Sequence, residues 1–176
     1  VFGPLETVQN TRAKFKLFYY GESLTRFPDY SDFSVLKDVF DLLVGFKPTD
    51  VREKQVRFPL WLLFYPFYTF SEKTNVLTHI DLQRRSNKAK PKEFLGSCVA
   101  THDMFGQRTI LYEATKAYGE FKCPSGFIHN APPIGPTLED KISFVAKGIF
   151  NICAENSSFE GYCTEKIFHA LEAGAV

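Results

Sequence analysis

The sequence predicts an α/β chain in two parts, each built on a parallel sheet. Three observations predict it. From Phe94 onward, short apolar strands alternate with helical patterns closed by glycine, the arrangement of βαβ units. Before Arg84 the apolar runs are aromatic and more loosely patterned. Between them, Arg84 to Lys92 (RRSNKAKPK) is basic and almost free of apolar residues. That stretch reads as a solvated linker, because charge runs without interleaved aromatics usually stay in water. The two parts are expected to meet near residues 84–94, with a cleft between them.

Lys14 to Tyr20 alternates well enough for a strand, with Phe15, Leu17 and Tyr19 on one face. It ends at Gly21-Glu22-Ser23. Phe40 to Phe46 is nearly continuous in apolar residues, as in a strand covered on both faces. Pro59 suits the first turn of a short helix with Leu60, Leu63, Phe64 and Phe67 on one face, until Pro66 disturbs it. Phe94 to Ala100 is a strand, Arg108 to Ala117 a helix closed by Gly119, and Glu120 to Cys123 a short strand. Asp140 to Lys147 is a helix ended by Gly148, Ile149 to Ala154 a buried strand, and Thr164 to Ala173 a helix ended by Gly174.

Both ends read as cut. The single Met is Met104, and Ala175-Val176 after Gly174 reads as the start of another buried strand. The 176 residues are 44% apolar and 23% charged, with nineteen Phe and a net charge of +1. No general basic field draws such a chain to nucleic acid. The longest apolar run, Phe58 to Phe70, contains two prolines and is shorter than the about 20 residues that span a bilayer. Cys98, Cys123, Cys153 and Cys163 form no C-x-x-C pair, so they read mainly as small buried hydrophobes, with disulfides left open for an oxidising compartment. His79, His102, His129 and His169 are scattered and read as structural or exposed; His102, near Arg108, is the one that could touch a phosphate.

In an open α/β sheet, ligands bind beyond the carboxyl ends of the strands. Thr101 to Arg108 and Glu155 to Lys166 (ENSSFEGYCTEK) occupy that place, each between a strand and a helix. Lys166 in a first helical turn opposes the dipole, and an anion there removes the conflict. Arg108 repeats the arrangement, so two cations on one sheet edge form a diphosphate clamp. Glu165 beside Lys166 can accept two hydrogen bonds from a vicinal diol such as ribose. The alternative is that Glu165 caps its helix while Lys166 and Arg108 lie in solvent. G-x-G-x-x-G, the P-loop pattern and Asp-x-Asp are all absent. Any diphosphate would therefore rest on protein cations, without a required metal. Asn156-Ser157-Ser158 fits a glycosylation sequon but falls inside this segment and reads as accidental.

Phe150 to Asn156 (FNICAEN) followed by Gly161 to Ile167 (GYCTEKI) closely resembles the donor-binding motif of the α1,3/4-fucosyltransferases. Upstream, Gly21-Glu22 after an aromatic strand resembles that family's acceptor-side turn, and Arg57-Phe58-Pro59-Leu60 its R-x-P-L step. Arg108 opens a helix where the family has its diphosphate-binding Arg. In the family a strand and a Pro-x-Tyr-Trp-Gly turn follow the last helix, and this chain stops at Val176, where that strand would begin. The resemblance implies the GT-B fold, with residues 1–90 as the end of the acceptor-side domain plus linker. Residues 91–176 would be the start of the GDP-fucose domain.

It further implies inverting transfer of L-fucose from GDP-fucose to a GlcNAc-containing glycan, with no metal cofactor. Glu22 would be the general base, its aromatic neighbours excluding water. Arg108 and Lys166 would hold the diphosphate and Glu165 the ribose, with Asn156 and Tyr162 lining the donor pocket. A bacterial member would work in the cytoplasm or at the inner-membrane periphery. An animal or plant member would face the Golgi lumen, with an anchor outside this chain. Two other readings stay open: a GT-B transferase for another nucleotide sugar, and an inactive glycan- or nucleotide-binding piece.

Overall fold

A computed structural model describes residues 3–65 and 75–176 of the chain. Pro66 and Phe67, the end of the expected helical face, lie outside the described residues. The chain divides into two compact units. The first runs up to Leu62 and takes back Ser157–Cys163; the second holds Leu63–Asn156 and Thr164–Val176. Among the described residues, each unit carries a three-stranded, wholly parallel sheet. No described helix is long and apolar enough to cross a membrane.

In the first unit, strands β1 (Leu17–Tyr19), β2 (Leu42–Gly45) and β3 (Gln55–Arg57) pair in that order. A short helix α1 (Leu5–Gln9) precedes them, and α2 (Phe33–Val39) joins β1 to β2. Asp32 starts α2 by accepting the Ser34 backbone N–H at 2.8 Å. The buried face of β1 is not the one its apolar alternation suggests. Phe18 and Tyr20 go inside, while Phe15, Leu17 and Tyr19 stay exposed. Aromatics stand on both faces of this strand, so the pattern alone leaves its phase undecided. The core decides it: Phe18 stacks on Tyr30 and Phe40, and Tyr20 meets Phe46 edge-on. In β2, only Leu43 and Gly45 are fully buried, so one face is covered and the other partly open. Leu60–Phe64 form a short 3₁₀ turn after Pro59.

In the second unit, β4 (Phe94–Ser97) lies between β5 (Phe121–Lys122) and β6 (Gly148–Asn151). Helices α4 (Gln107–Thr115) and α5 (Leu138–Val145) connect them, and α6 (Lys166–Glu172) follows β6. Thr137 and Asp140 close a reciprocal capping box at the start of α5. Gly174, at φ +70°, ends α6. Its N–H reaches Leu171 O and the Ala175 N–H reaches Ala170 O, the paired closure that a left-handed residue permits. Beyond it Val176 exchanges backbone hydrogen bonds with Ile149 and Asn151 in a parallel pattern, while its side chain is exposed.

The basic stretch 84–92 is not a linker throughout. Helix α3 (Val76–Lys88) occupies it as far as Lys88. Asn75 caps α3 through the Thr78 N–H at 2.8 Å. Val76, Ile80 and Asn87 are its buried residues, and Asn87 donates to Glu172 O at 2.8 Å. Arg84 and Arg85 pair with Asp81 on the exposed side. A helix with so thin an apolar stripe carries little hydrophobic periodicity, which is why its sequence resembles solvated chain.

Candidate functional site

In the second unit, the segments after the adjacent strands β4 and β6 lie at the carboxyl edge of one parallel sheet. Asp103 organises the first of them. Its carboxylate accepts the Arg108 N–H at 3.1 Å, and the Thr109 N–H and hydroxyl at 2.8 Å each. Desolvation works against the charged form, but these hydrogen bonds and Arg108 outweigh it and hold the carboxyl below its usual range.

Arg108, the second residue of α4, is buried, with 4% of its surface exposed. Its guanidinium spans to the other loop, donating to Ala154 O from Nε at 3.2 Å and from Nη2 at 2.9 Å. Nη2 also reaches Asn156 Oδ1 at 2.6 Å, and Nη1 bonds the His102 carbonyl. Its direct guanidinium partners are neutral oxygens, and the charged Asp103 carboxylate lies close enough to feel its positive charge. One Nη1 hydrogen is left over by these bonds. Asn156 is thereby engaged and Ser157 is buried, surroundings that do not suit a glycan on the sequon.

The second cation is anchored too. Lys166 Nζ lies 2.8 Å from Glu155 Oε2 and 2.8 Å from Thr164 Oγ1. Glu155 also accepts the Thr164 N–H at 2.7 Å. Glu165 makes no side-chain cap at its helix; instead Lys141, from α5, approaches it at 3.4 Å. Desolvation pushes the Glu165 carboxyl up, yet Lys166 and Lys141 together bring it below the ordinary value. Glu165 is therefore charged near neutral pH and able to accept hydrogen bonds from hydroxyls.

In the first unit, Gly161 adopts φ +77°, and a Cβ there would run into the Phe46 carbonyl. This close approach seats Tyr162 against Phe46, edge-on at 5.0 Å between centroids. The Tyr162 hydroxyl donates to Glu22 Oε2 at 3.4 Å. Glu22 itself is exposed, so the apolar surroundings expected for it are absent. The rings before it, Phe18 and Tyr20, turn into the core instead.

No family model matches the chain, and no curated protein matches it. Solved structures do. The crystal structure of an α1,3-fucosyltransferase with GDP-fucose matches at TM-score 0.64 and 19% identity, over 95% of this chain and 53% of that one. An α1,3-fucosyltransferase with GDP matches at 0.63 and 20%, over 91% of this chain and 50% of that one. A further α1,3-fucosyltransferase structure matches at 0.66 and 19%, with the same shares.

The chain has the α1,3-fucosyltransferase fold.

It is an α/β fold of the GT-B type, and the chain spans about half the length of those structures. Within this fucosyltransferase fold, the residues singled out by sequence fall into separate groups. Arg108 meets Asn156 in the second unit, where Lys166 and Glu165 each meet a different partner. Glu22 meets Tyr162 in the first unit. Neither cation lies in open solvent, contrary to the alternative reading of both.

Sequence reasoning passed over Asp103, Lys141 and Glu155 as site residues. Glu155 had a visible signal, a carboxylate in an unusually polar loop; its choice of partner had none. Among the described residues no group of three or more His, Cys, Asp or Glu is placed to hold a metal. Cys98 and Cys123 are buried, and desolvation pushes their thiols up to about 12 and about 11, as for inert core residues. His169 is buried against Phe64 and Tyr65 and pushed down to about 4 by desolvation, which keeps it neutral.

Proposed function

We propose that this protein transfers L-fucose from GDP-fucose to a hydroxyl of a GlcNAc-containing glycan, with inversion at the anomeric carbon. The observation that carries the reading is a pair of cations, Arg108 and Lys166, held after adjacent strands of one parallel sheet. They sit in a fold whose solved examples include complexes with GDP-fucose and GDP. The sheet of β4, β5 and β6 takes the donor role and the sheet of β1, β2 and β3 the acceptor role.

Each residue then has a definite task. Glu22 takes the proton of the acceptor hydroxyl as its oxygen attacks the anomeric carbon. The bond from that carbon to the diphosphate breaks, and GDP leaves with an added negative charge. Lys166 and Arg108 stabilise that charge, an electrostatic contribution that is often the largest in such reactions. Glu165 accepts hydrogen bonds from the ribose hydroxyls. Asn156 orients Arg108 at the edge of the donor pocket, and Tyr162 steadies Glu22.

A calorimetric titration with GDP, followed by a release assay with GDP-fucose and a glycan acceptor, tests the proposal. Absence of GDP binding overturns it, and binding without transfer leaves a nucleotide-binding protein. Lys166→Ala is expected to weaken GDP by roughly tenfold to a hundredfold, since hydrogen bonds to charged groups are worth about 1.5–3 kcal/mol. Guanosine, which has no phosphate, should bind the variant as it binds the wild type. Equal loss for both ligands would place Lys166 away from the phosphates.

We also propose that the donor binds without metal, its charge met by the two side-chain cations. GDP affinity is then expected to be the same in excess EDTA as in its absence. A collapse in EDTA that manganese restores would refute this.

A further inference from the structure

We propose that Glu155 is a positioning residue that aims the Lys166 ammonium at the nucleotide diphosphate. The inference rests on the donor reading above and extends it to a residue with no role in it.

A lysine side chain is a flexible stem ending in three equivalent donors. Left alone it samples many directions, and holding it for one ligand costs conformational entropy. Here two of its three donors are already assigned. One meets Glu155 Oε2 and one meets Thr164 Oγ1, each at 2.8 Å. With two directions of a tetrahedral ammonium occupied, the third is set. Among the described residues no further acceptor meets Nζ.

Glu155 also holds the second anchor. Its Oε1 accepts the Thr164 N–H at 2.7 Å, and its carboxylate accepts the Thr164 hydroxyl at 2.8 to 3.0 Å. The hydroxyl proton goes to Glu155, which leaves the oxygen lone pairs turned to Lys166. One carboxylate thus fixes the lysine directly and through the threonine. Only 14% of the Lys166 side chain and 20% of the Glu155 side chain are exposed, so solvent competes poorly with this arrangement. A cation prepared in this way meets a phosphate oxygen without further ordering, which is the basis of preorganised charge stabilisation.

The opposite role is physically distinct. A carboxylate on the same ammonium could compete with phosphate, and its removal would then strengthen anion binding.

The test is a calorimetric cycle on the purified protein with GDP and guanosine as probes, alongside melting temperatures. Glu155→Gln keeps the shape and an acceptor for Thr164 but loses the charge. It is expected to weaken GDP about tenfold, as for one charge-assisted hydrogen bond, and to leave guanosine unchanged. In a Lys166→Ala background the same change should cost less than about twofold, because there is no ammonium left to aim. Thr164→Val, which keeps both charges, should weaken GDP by about threefold, a partial loss of the same bond set. Tighter GDP binding by Glu155→Gln would overturn the proposal in favour of competition. Equal loss of guanosine, or the same loss in both backgrounds, would reduce Glu155 to loop stability. Failure of the wild type to bind GDP would remove the donor reading itself, and is read separately from any variant.

Discussion

Glu22→Gln is expected to lower fucosyl transfer by about 10²–10⁴-fold, the usual worth of a general base, while GDP-fucose binding stays nearly intact. The amide keeps the size of the side chain and can still accept the Tyr162 hydroxyl, so the turn after β1 should hold its shape. What it loses is the ability to take a proton. Glu22 is exposed, and the Tyr162 hydroxyl donates to its carboxylate at 3.4 Å. Tyr162 is itself fixed by burial and by the Phe46 ring. Glu22 is therefore accessible and restrained from one side, as the proposed role of base requires. Initial rates with saturating donor, with calorimetry of GDP-fucose in parallel, separate the outcomes. Near wild-type transfer would remove Glu22 from the mechanism. Loss of donor affinity would move it to the nucleotide site.

Arg108→Ala is expected to damage the fold as well as GDP binding, unlike Lys166→Ala. From sequence the two cations look equivalent, each at a helix start. In the structure Arg108 is buried and cross-links two loops through Ala154, Asn156 and His102. Truncation removes the buried guanidinium and its hydrogen bonds to partly buried acceptors, at a cost of about 3 kcal/mol. For a chain of this size that lowers the melting temperature by roughly 6–12 °C. Arg108→Lys keeps the charge but not the planar fork, so it should recover part of the GDP affinity and little of the stability. The partners of Lys166, Glu155 and Thr164, also bond each other, so Lys166→Ala should melt within a few degrees of wild type. Thermal melts of the three variants, followed by GDP titration below the transition, check this. An Arg108→Ala protein that melts at the wild-type temperature would show the guanidinium to be dispensable to the fold.

Much of the α/β order was legible in the residues. The helices ending at Gly119 and Gly174, the strands at Phe94 and Ile149, and the polar segment between β6 and α6 all follow from local patterns. Glycine after a periodic run and capping residues before one act within a few positions, so no distant contact is needed to read them. Helix α3 was not legible as a helix. Its short apolar stripe of Val76 and Ile80 means little until α6 offers Asn87 a carbonyl at Glu172. The phase of β1 was undecided for the same reason, since apolar residues line both of its faces.

The residue types for binding an anion were determined by the sequence: an arginine and a lysine beside two loops, a carboxylate next to the lysine, an amide and a tyrosine between. Tertiary structure alone decided which of them touch. Arg108 finds Asn156 across 48 positions, Lys141 finds Glu165 across 24, and Tyr162 finds Glu22 across 140. A hydrogen bond is a matter of about 3 Å in space. Spacing along a chain specifies such distances only within one helix turn or one hairpin. Beyond that range the pairing is set by how strands register and where loops close. It is there that Glu155 became the partner of Lys166, and Arg108 a buried strut.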